Sequence, residues 1–429
     1  MLESCSGGEA VVRGVKSDAL RRLSKVLAVV LVLWGLVMGC SLPQVSAQDR
    51  LFLDLSLEFL DDYTLPKQNY EGTRVGGLSG ISYDRQRDRF YVLSDDRGDY
   101  APPRYYTVKL NLEPNEFNTK SIKNLEIQGV TYIKNEQGQN YNRGLINPEG
   151  IAFAAPNTIY ISSEGVNDKN IPPFIQEHDL ETGQWRRSLP IPPTYIPDAT
   201  GEKQQRGVQD NLGFESLTIN PRGFGDAKVD PYRIFTATES PVVQDWDETI
   251  PETCAAAAAQ TDVSPTDVSP TAAATNPQCP YYSRMMHYLQ SDGPPLLIAE
   301  SAYPLDLGGR WSLINGLTEL LALESGGHLL ALERSFGFTG YGAKIFQIAT
   351  GGATDTSTIA SLKPPQKLAP LQKKLLLDLT SLGIPLDNLE GMTLGPRLPD
   401  GSDSLIVISD DNFNDDQTTQ VLLFRLRKK

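Results

Sequence analysis

The chain has 429 residues, of which 40% are hydrophobic, and it contains 36 glycines and 30 prolines. This length is sufficient to bury a large core, and the abundance of turn-forming residues favours strands joined by turns over a helical fold. A formal net charge of -14 argues against nucleic acid or an anionic membrane as a partner, and favours cations or cation-bridged anions.

Residues 1–47 are predicted to be a signal peptide, because a basic stretch precedes an apolar run at 26–38 that is too short to span a membrane comfortably. The sequence before Cys40 resembles a lipoprotein cleavage motif, whereas Val-Ser-Ala ending at Ala47 suits ordinary cleavage. A retained amphipathic anchor is the third alternative. We therefore expect an extracytoplasmic protein, secreted or periplasmic, with a lipid anchor if Cys40 is used.

The remaining residues, 48–429, are expected to form one domain with a low-complexity insert at 247–280. Cys254 and Cys279 bracket an alanine run and a duplicated Thr-Asp-Val-Ser-Pro, which has too little apolar content to pack. A disulfide between these two cysteines suits an exported protein, and two unpaired thiols are the alternative.

The chain repeats one two-part pattern five times, with a period of about 70 residues once the insert is discounted. Each copy predicts a hairpin with acidic residues where its first strand begins and its second strand ends, and antiparallel pairing brings these two ends together. The first strands supply Glu149, Glu215, Glu319 and Glu390, with Ser79 in the first copy. The second strands supply Asp95, Asp96, Glu164, Glu239, Glu333, Asp410 and Asp411.

Two further strand-like runs follow each hairpin, and four short strands per repeat are typical of a β-propeller blade. The fifth repeat has only three strands, but residues 51–60 alternate apolar and polar side chains and can supply the fourth. The sequence thus predicts an all-β propeller of five blades, closed by pairing of its N- and C-terminal strands. A six-bladed ring and a large β-sandwich are the alternatives.

In such a propeller the acidic residues ring one mouth of the central channel. Clustered carboxylates repel one another unless cations neutralise them, and an oxygen-only cluster suits Ca²⁺. Only three histidines exist, so a histidine-based zinc site is not supported, and no nucleophilic-serine motif is found. Each acid has an alternative structural role, as an acceptor for backbone amides between blades.

Several motifs occur in an order that resembles that of a bacterial family, the phytase-like family, whose description is "esterase-like activity of phytase". The motifs include Gly-Leu-Ser-Gly-Ile from Gly77, Asn-Pro-Glu-Gly-Ile from Asn147, Leu-Glu-Arg-Ser-Phe-Gly from Leu332 and Asn-Leu-Glu-Gly-Met from Asn388. The resemblance spans about residues 70 to 427 and implies a secreted phosphoester hydrolase with a propeller fold. Calcium dependence follows from a looser similarity to the β-propeller phytases.

These observations favour metal-assisted hydrolysis of a small phosphoester by a monomer. We expect the four first-strand glutamates and Arg334 to be catalytic, the second-strand acids to bind Ca²⁺, and Arg97, Arg104 and Lys344 to bind the substrate. A Ca²⁺-dependent lactonase or carboxylesterase is one alternative. A non-enzymatic Ca²⁺-binding propeller scaffold is another.

Overall fold

The structure is a computed structural model, and it describes Lys25 and residues 51–114, 120–198, 203–220, 231–247, 281–306, 312–364 and 367–428. Phe52–Lys429 forms one compact unit. The predicted signal peptide at 1–47, apart from Lys25, lies outside the described residues, as do Cys254, Cys279 and nearly all of the predicted insert. Within the part of the chain that the structure describes, no helix has the length and apolar character needed to span a bilayer.

The described residues form strands and a few single-turn helices. Before the first blade come β1 (Leu55–Leu65), β2 (Gln68–Tyr70) and β3 (Thr73–Val75). Blade 1 contains β4 (Leu78–Asp84), β5 (Arg89–Ser94), β6 (Arg104–Pro114) and β7 (Lys120–Tyr132), and blade 2 contains β8 (Pro148–Ala154), β9 (Thr158–Ser163), β10 (Phe174–Asp179) and β11 (Trp185–Ser188). Blade 3 contains β12 (Phe214–Ile219), β13 (Tyr232–Thr238), β14 (Tyr282–Gln290) and β15 (Leu296–Pro304). Blade 4 contains β16 (Ser312–Ala322), β17 (His328–Gly337), β18 (Gly340–Ala349) and β19 (Gln372–Asp378), and blade 5 contains β20 (Asn388–Leu394), β21 (Asp403–Asp410) and β22 (Thr419–Lys428). Short 3-10 helices occupy Asn167–Lys169, Pro193–Tyr195, Val243–Asp245 and Leu379–Leu382.

The strands form five four-stranded antiparallel sheets, and β2 pairs with β3 in a separate hairpin. The first strands of the five blades, β4, β8, β12, β16 and β20, contact one another in a closed ring. This arrangement confirms the predicted all-β, five-bladed propeller.

The ring closes through pairing of the two ends of the domain. β1 pairs antiparallel with β22, from Leu55 opposite Lys428 to Leu65 opposite Thr419, and completes blade 5. The predicted closure is therefore confirmed, and the strand covers 55–65 rather than 51–60. Without β1, the edge of β22 would present unpaired backbone groups.

The hydrophobic core lies between neighbouring blades, because successive residues of a strand point to opposite faces of its sheet. On β13, Ile234 packs with the residues between blades 2 and 3, whereas Phe235 packs with those between blades 3 and 4. On β22, Val421 packs towards blade 1 and Leu422 packs towards blade 4. Each blade is thus buried on both faces, and this packing fixes the five inner strands around the axis.

Candidate active site

A β-bulge interrupts the pairing between the first and second strand of every blade. The pairing register skips Ser79 in blade 1, Glu149 and Gly150 in blade 2, Glu215 in blade 3, Thr318 in blade 4 and Glu390 in blade 5. A bulge changes the direction of a side chain relative to its sheet. The repeated motif of the sequence is therefore the site of a repeated bulge at one end of the ring.

A cavity of about 320 Å³ lies at this end of the ring. It is lined by acidic, basic, amide and apolar side chains: Asp95, Arg97, Glu149, Glu164, Asn211, Glu215, Glu239, Ile314, Arg334, Phe336, Tyr341, Asn388, Glu390, Asp410 and Asn412. Nine of these residues belong to the site predicted from the sequence. Seven are carboxylates and two, Arg97 and Arg334, are cations.

Each blade contributes one charged residue to the cavity, at the position after the second-strand residue that pairs with the inner-strand residue preceding the bulge. Ser94, Ser163, Thr238, Glu333 and Ser409 pair with Leu78, Pro148, Phe214, Leu317 and Leu389. The residues that follow them are Asp95, Glu164, Glu239, Arg334 and Asp410. Four blades therefore place an acid at this position, and blade 4 places a cation there.

Blade 4 departs from the predicted alignment by one residue. Its bulge falls on Thr318 rather than Glu319, and Arg334 rather than Glu333 occupies the cavity position. A shift of one residue in a strand exchanges the two faces of the sheet. The sequence pattern predicts that Glu319 is equivalent to the other first-strand glutamates. This alignment is wrong by one residue, because Glu319 follows the bulge of its strand.

Glu319 is buried between blades and does not line the cavity, although it lies in the described part of the chain. Its Oε1 accepts hydrogen bonds from the backbone amides of Leu217, at 3.0 Å, and Leu320, at 2.9 Å. Glu319 takes the position directly after the bulge that Gly80 and Gly391 hold in blades 1 and 5. It therefore connects the inner strands of blades 3 and 4.

Glu333 and Lys344 lie in a polar cluster between blades 3 and 4. Glu333 forms an ion pair with Lys373, at 2.5 Å, and accepts a hydrogen bond from the hydroxyl of Tyr303, at 2.6 Å. Lys344 forms an ion pair with Asp306 at 3.4 Å. Neither Glu333 nor Lys344 belongs to the described lining of the cavity.

Asp96, Arg104 and Asp411 also lie outside the described lining of the cavity, and each is held by buried contacts with other residues. Arg104 and Asp96 form a fully buried ion pair at 2.6 Å. Arg104 donates a further hydrogen bond to the backbone oxygen of Arg74, at 2.8 Å, and Asp411 accepts one from the amide of Gly77, also at 2.8 Å. Asp96 and Asp411 each follow the cavity acid of their blade, so the alternation of the backbone directs them elsewhere.

The two cavity arginines are each held by neighbouring side chains. One Arg334 nitrogen, Nη2, lies 3.2 Å from both Glu239 Oε1 and Glu390 Oε1. Arg97 donates from Nε to Asn147 Oδ1, at 2.7 Å, and from Nη2 to Asn211. Both guanidinium groups are therefore oriented at the cavity.

A glycine makes room for the ion pairs of Arg334. Gly316 lies opposite Arg334 in the β16–β17 pairing, and a Cβ at Gly316 would lie 2.1 Å from Glu239 Oε1. Any larger residue would displace the Glu239 carboxylate.

The buried position of the carboxylates raises their pKa values. Burial, with Glu390 nearby, raises the pKa of Asp95 to about 8, and burial, with Glu239 nearby, raises the pKa of Glu164 to about 8. Burial also raises the pKa of Glu390, and Arg334 limits this increase, so that it reaches about 7. Burial and repulsion from neighbouring carboxylates raise the pKa values of Glu149, Glu215 and Asp410 well above the ordinary range. Burial also raises the pKa of Glu239, and Arg334 opposes this increase. The cluster therefore binds protons tightly or requires a cation to ionise fully.

Asparagines that the sequence prediction missed support the acids. Asn147 donates from Nδ2 to Glu164 Oε2 at 2.6 Å, and Asn388 donates from Nδ2 to Glu390 Oε1 at 2.7 Å. Each precedes a first-strand glutamate by two residues, so the repeated Asn-x-Glu pattern could have identified these two asparagines from the sequence. Asn211 and Asn412, with positive φ of 56° and 46°, lie in loops with no comparable repeat.

The donor set fits a hard divalent cation. One oxygen each from Glu149, Glu164 and Glu215 lies within 4.8 Å of the others. Asp95 Oδ1 and Asn388 Oδ1 are buried without a hydrogen-bond partner among the residues that the structure describes. Carboxylate and amide oxygens are the ligands that Ca²⁺ prefers, so these residues fit that ion.

The fold and the site define a β-propeller with an acidic, arginine-containing cavity at one end of its inner strands. The family model described as phytase-like, with esterase-like activity of phytase, matches residues 73–413, and the chain belongs to this family. The family and the fold together support a hydrolase-type propeller.

Among solved structures, the chain is similar to an endo-arabinase from Bacteroides thetaiotaomicron VPI-5482, with 12% identity over 86% of this chain and 98% of that chain and a TM-score of 0.37. It is also similar to the catalytic domain of the Coprinopsis cinerea GH62 α-L-arabinofuranosidase, with 9% identity, 87% and 98% coverage and a TM-score of 0.35. No curated protein sequence matches the chain.

Proposed function

We propose that the protein is a metal-assisted phosphoester hydrolase whose active site is the acidic cavity. The observation that carries this proposal is the placement of two oriented guanidinium groups, Arg97 and Arg334, among seven carboxylates in one cavity. Guanidinium groups bind phosphate oxygens in bidentate fashion, and carboxylates do not bind an anion unless cations intervene. The same cavity thus offers ligands for a cation and donors for an anion.

Glu149, Glu164 and Glu215 are the residues that would hold Ca²⁺, because their oxygens already converge. When bound there, Ca²⁺ would supply positive charge to polarise a phosphoryl oxygen and to make a nearby water more acidic. The remaining residues of the cavity then have separate tasks. Arg334 and Arg97 orient the phosphoryl group and stabilise its negative charge.

Glu390 is suited to move a proton. Its pKa of about 7 lets it exchange a proton at neutral pH, and Asn388 and Arg334 fix its carboxylate by hydrogen bonds. We assign it the protonation of the leaving-group oxygen or the deprotonation of the attacking water.

The test is a substrate panel of an aryl phosphate, phytate, an aryl acetate and a lactone, each with Ca²⁺ and with chelator. We expect phosphoester hydrolysis that requires Ca²⁺ and falls strongly in Arg334→Met. Arg397→Met is the control, because Arg397 is an exposed arginine whose ion pair with Asp403 lies outside the described cavity lining. Hydrolysis of only the acetate or the lactone would favour the carboxylesterase or lactonase alternative, and no hydrolysis would favour a binding propeller.

The location of the protein remains a proposal that rests on the sequence. The basic and apolar character of residues 1–47 supports export, and a monomer in a secreted or periplasmic location is consistent with a small-molecule substrate.

A further inference from the structure

Blade 4 extends further than the other blades at the end that carries the cavity. β4, β8 and β12 begin one residue before their bulges, whereas β16 begins at Ser312, well before its bulge at Thr318. β17 continues to Gly337, and β18 begins at Gly340. The three strands therefore form a wall beside the cavity.

Beyond Arg334, this wall presents apolar and aromatic side chains to the cavity. Ile314 pairs with Phe336, and Phe336 pairs with Tyr341 on the next strand. The rings of Phe336 and Tyr341 lie 4.8 Å apart between centroids, and all three side chains line the cavity. Phe336 follows Arg334 by two residues, so both lie on the same face of β17.

Two of these three side chains, Ile314 and Phe336, are exposed to solvent beside the charged cavity. Ile314 is 48% exposed and Phe336 is 38% exposed. Exposed apolar residues that adjoin a charged cavity mark a surface that a ligand covers. A bound aromatic group would remove the two side chains from water while its anionic end reaches Arg334.

We propose that Ile314, Phe336 and Tyr341 form a binding subsite for the aromatic or similarly apolar part of a substrate that carries a single anionic group. This inference deepens the proposed phosphoester hydrolase and rests on it for the identity of the anionic group. The charge balance supports the same class, because two arginines among seven carboxylates suit one anionic group better than a polyanion such as phytate.

The test measures binding of phenylphosphonate and methylphosphonate, which are not hydrolysed, to the Ca²⁺-supplemented protein by calorimetry. We expect phenylphosphonate to bind about tenfold more tightly than methylphosphonate, as burial of one aromatic ring against apolar side chains predicts. Phe336→Ala should reduce this ratio to about threefold or less, and Phe336→Leu should retain part of it.

Phe338→Ala is the matched control. Phe338 is 78% exposed at the turn between β17 and β18 and does not belong to the described lining of the cavity, so its removal should leave the ratio unchanged. Equal affinity for the two phosphonates in the wild type, no binding of either, or an unchanged ratio in Phe336→Ala would overturn the subsite.

The outcomes separate the subsite from the proposed function. If the affinity ratio of the two phosphonates depends on Phe336 but the protein hydrolyses no phosphoester, the subsite is supported and the hydrolase is refuted. If the protein hydrolyses aryl phosphate but the affinity ratio does not change in Phe336→Ala, the hydrolase is supported and the subsite is refuted.

Discussion

Raising the pH from about 7 to about 9 in the presence of chelator should destabilise the protein, because the cavity acids must then ionise without a cation. Burial, with Glu239 nearby, raises the pKa of Glu164 from 4.5 to about 8, and burial, with Glu390 nearby, raises that of Asp95 from 3.8 to about 8. A carboxyl group with a raised pKa in the folded state stabilises that state while it is protonated. This contribution is complete below the unfolded pKa and is lost as the pH rises through about 8.

The decrease in the free energy of unfolding can be calculated from the ionisation of Glu164 and Asp95 between pH 7 and pH 9. Each tenfold change in proton affinity corresponds to about 1.4 kcal/mol, so Glu164 and Asp95 together should lower the free energy of unfolding by about 1 to 3 kcal/mol between pH 7 and pH 9. His178 and His287, whose pKa values burial lowers to about 4, contribute little to the pH dependence in this range, because both are neutral in the folded state and mostly neutral in the unfolded state above pH 7.

Urea denaturation at fixed ionic strength measures this change. Glu164→Gln removes one titrating group and should make the pH dependence shallower, whereas Glu136→Gln, at an exposed position, should leave it unchanged. Ca²⁺ at about 100 times its Kd should restore about 2.7 kcal/mol at the higher pH. A free energy of unfolding that stays constant or increases from pH 7 to pH 9 with chelator would refute the reasoning.

Two further predictions concern the scaffold. Glu319→Ala removes the acceptor for the amides of Leu217 and Leu320 and should lower the free energy of unfolding by about 2 to 4 kcal/mol. Glu319→Gln keeps an acceptor oxygen and should lower it by less than about 1 kcal/mol. Urea denaturation measures both changes. Equal losses in the two variants would show that the amide contacts are not the cause. Deletion of residues 51–65 exposes the edge of β22 and should abolish the single cooperative melting transition or cause self-association, which circular dichroism and size-exclusion chromatography detect. A monomeric deletion variant with an unchanged melting temperature would contradict the closure argument.

Repetition in the sequence was sufficient to predict the number of blades and the closure of the ring. The period of the repeat predicted the five hairpins. The alternation of apolar and polar residues at 51–60 predicted the missing strand, which β1 supplies. Both features depend on apolar patterning, which a sequence displays directly. The acids at the ends of the second strands were equally visible, and four of the five blades place one in the cavity.

The register of blade 4 could not be predicted in the same way. Leu-Thr-Glu-Leu at Leu317 resembles the other motifs, but the position of a bulge depends on pairing with the neighbouring strand and not on the local residue pattern. The sequence therefore assigned Glu319 and Glu333 to positions that Thr318 and Arg334 occupy. The apolar wall was missed for a related reason, since an extended hairpin with exposed aromatic residues has the same alternation as a buried one.

The binding of Ca²⁺ by the cavity is the central claim, and calorimetric titration of the chelator-treated protein tests it most directly. We predict saturable binding that weakens by about tenfold or more in Glu215→Gln and is unchanged in Glu136→Gln, because Glu215 contributes one of the three converging oxygens and Glu136 contributes none. A wild-type protein that shows no binding heat at millimolar Ca²⁺, and the same melting temperature with Ca²⁺ as with chelator, would contradict the account.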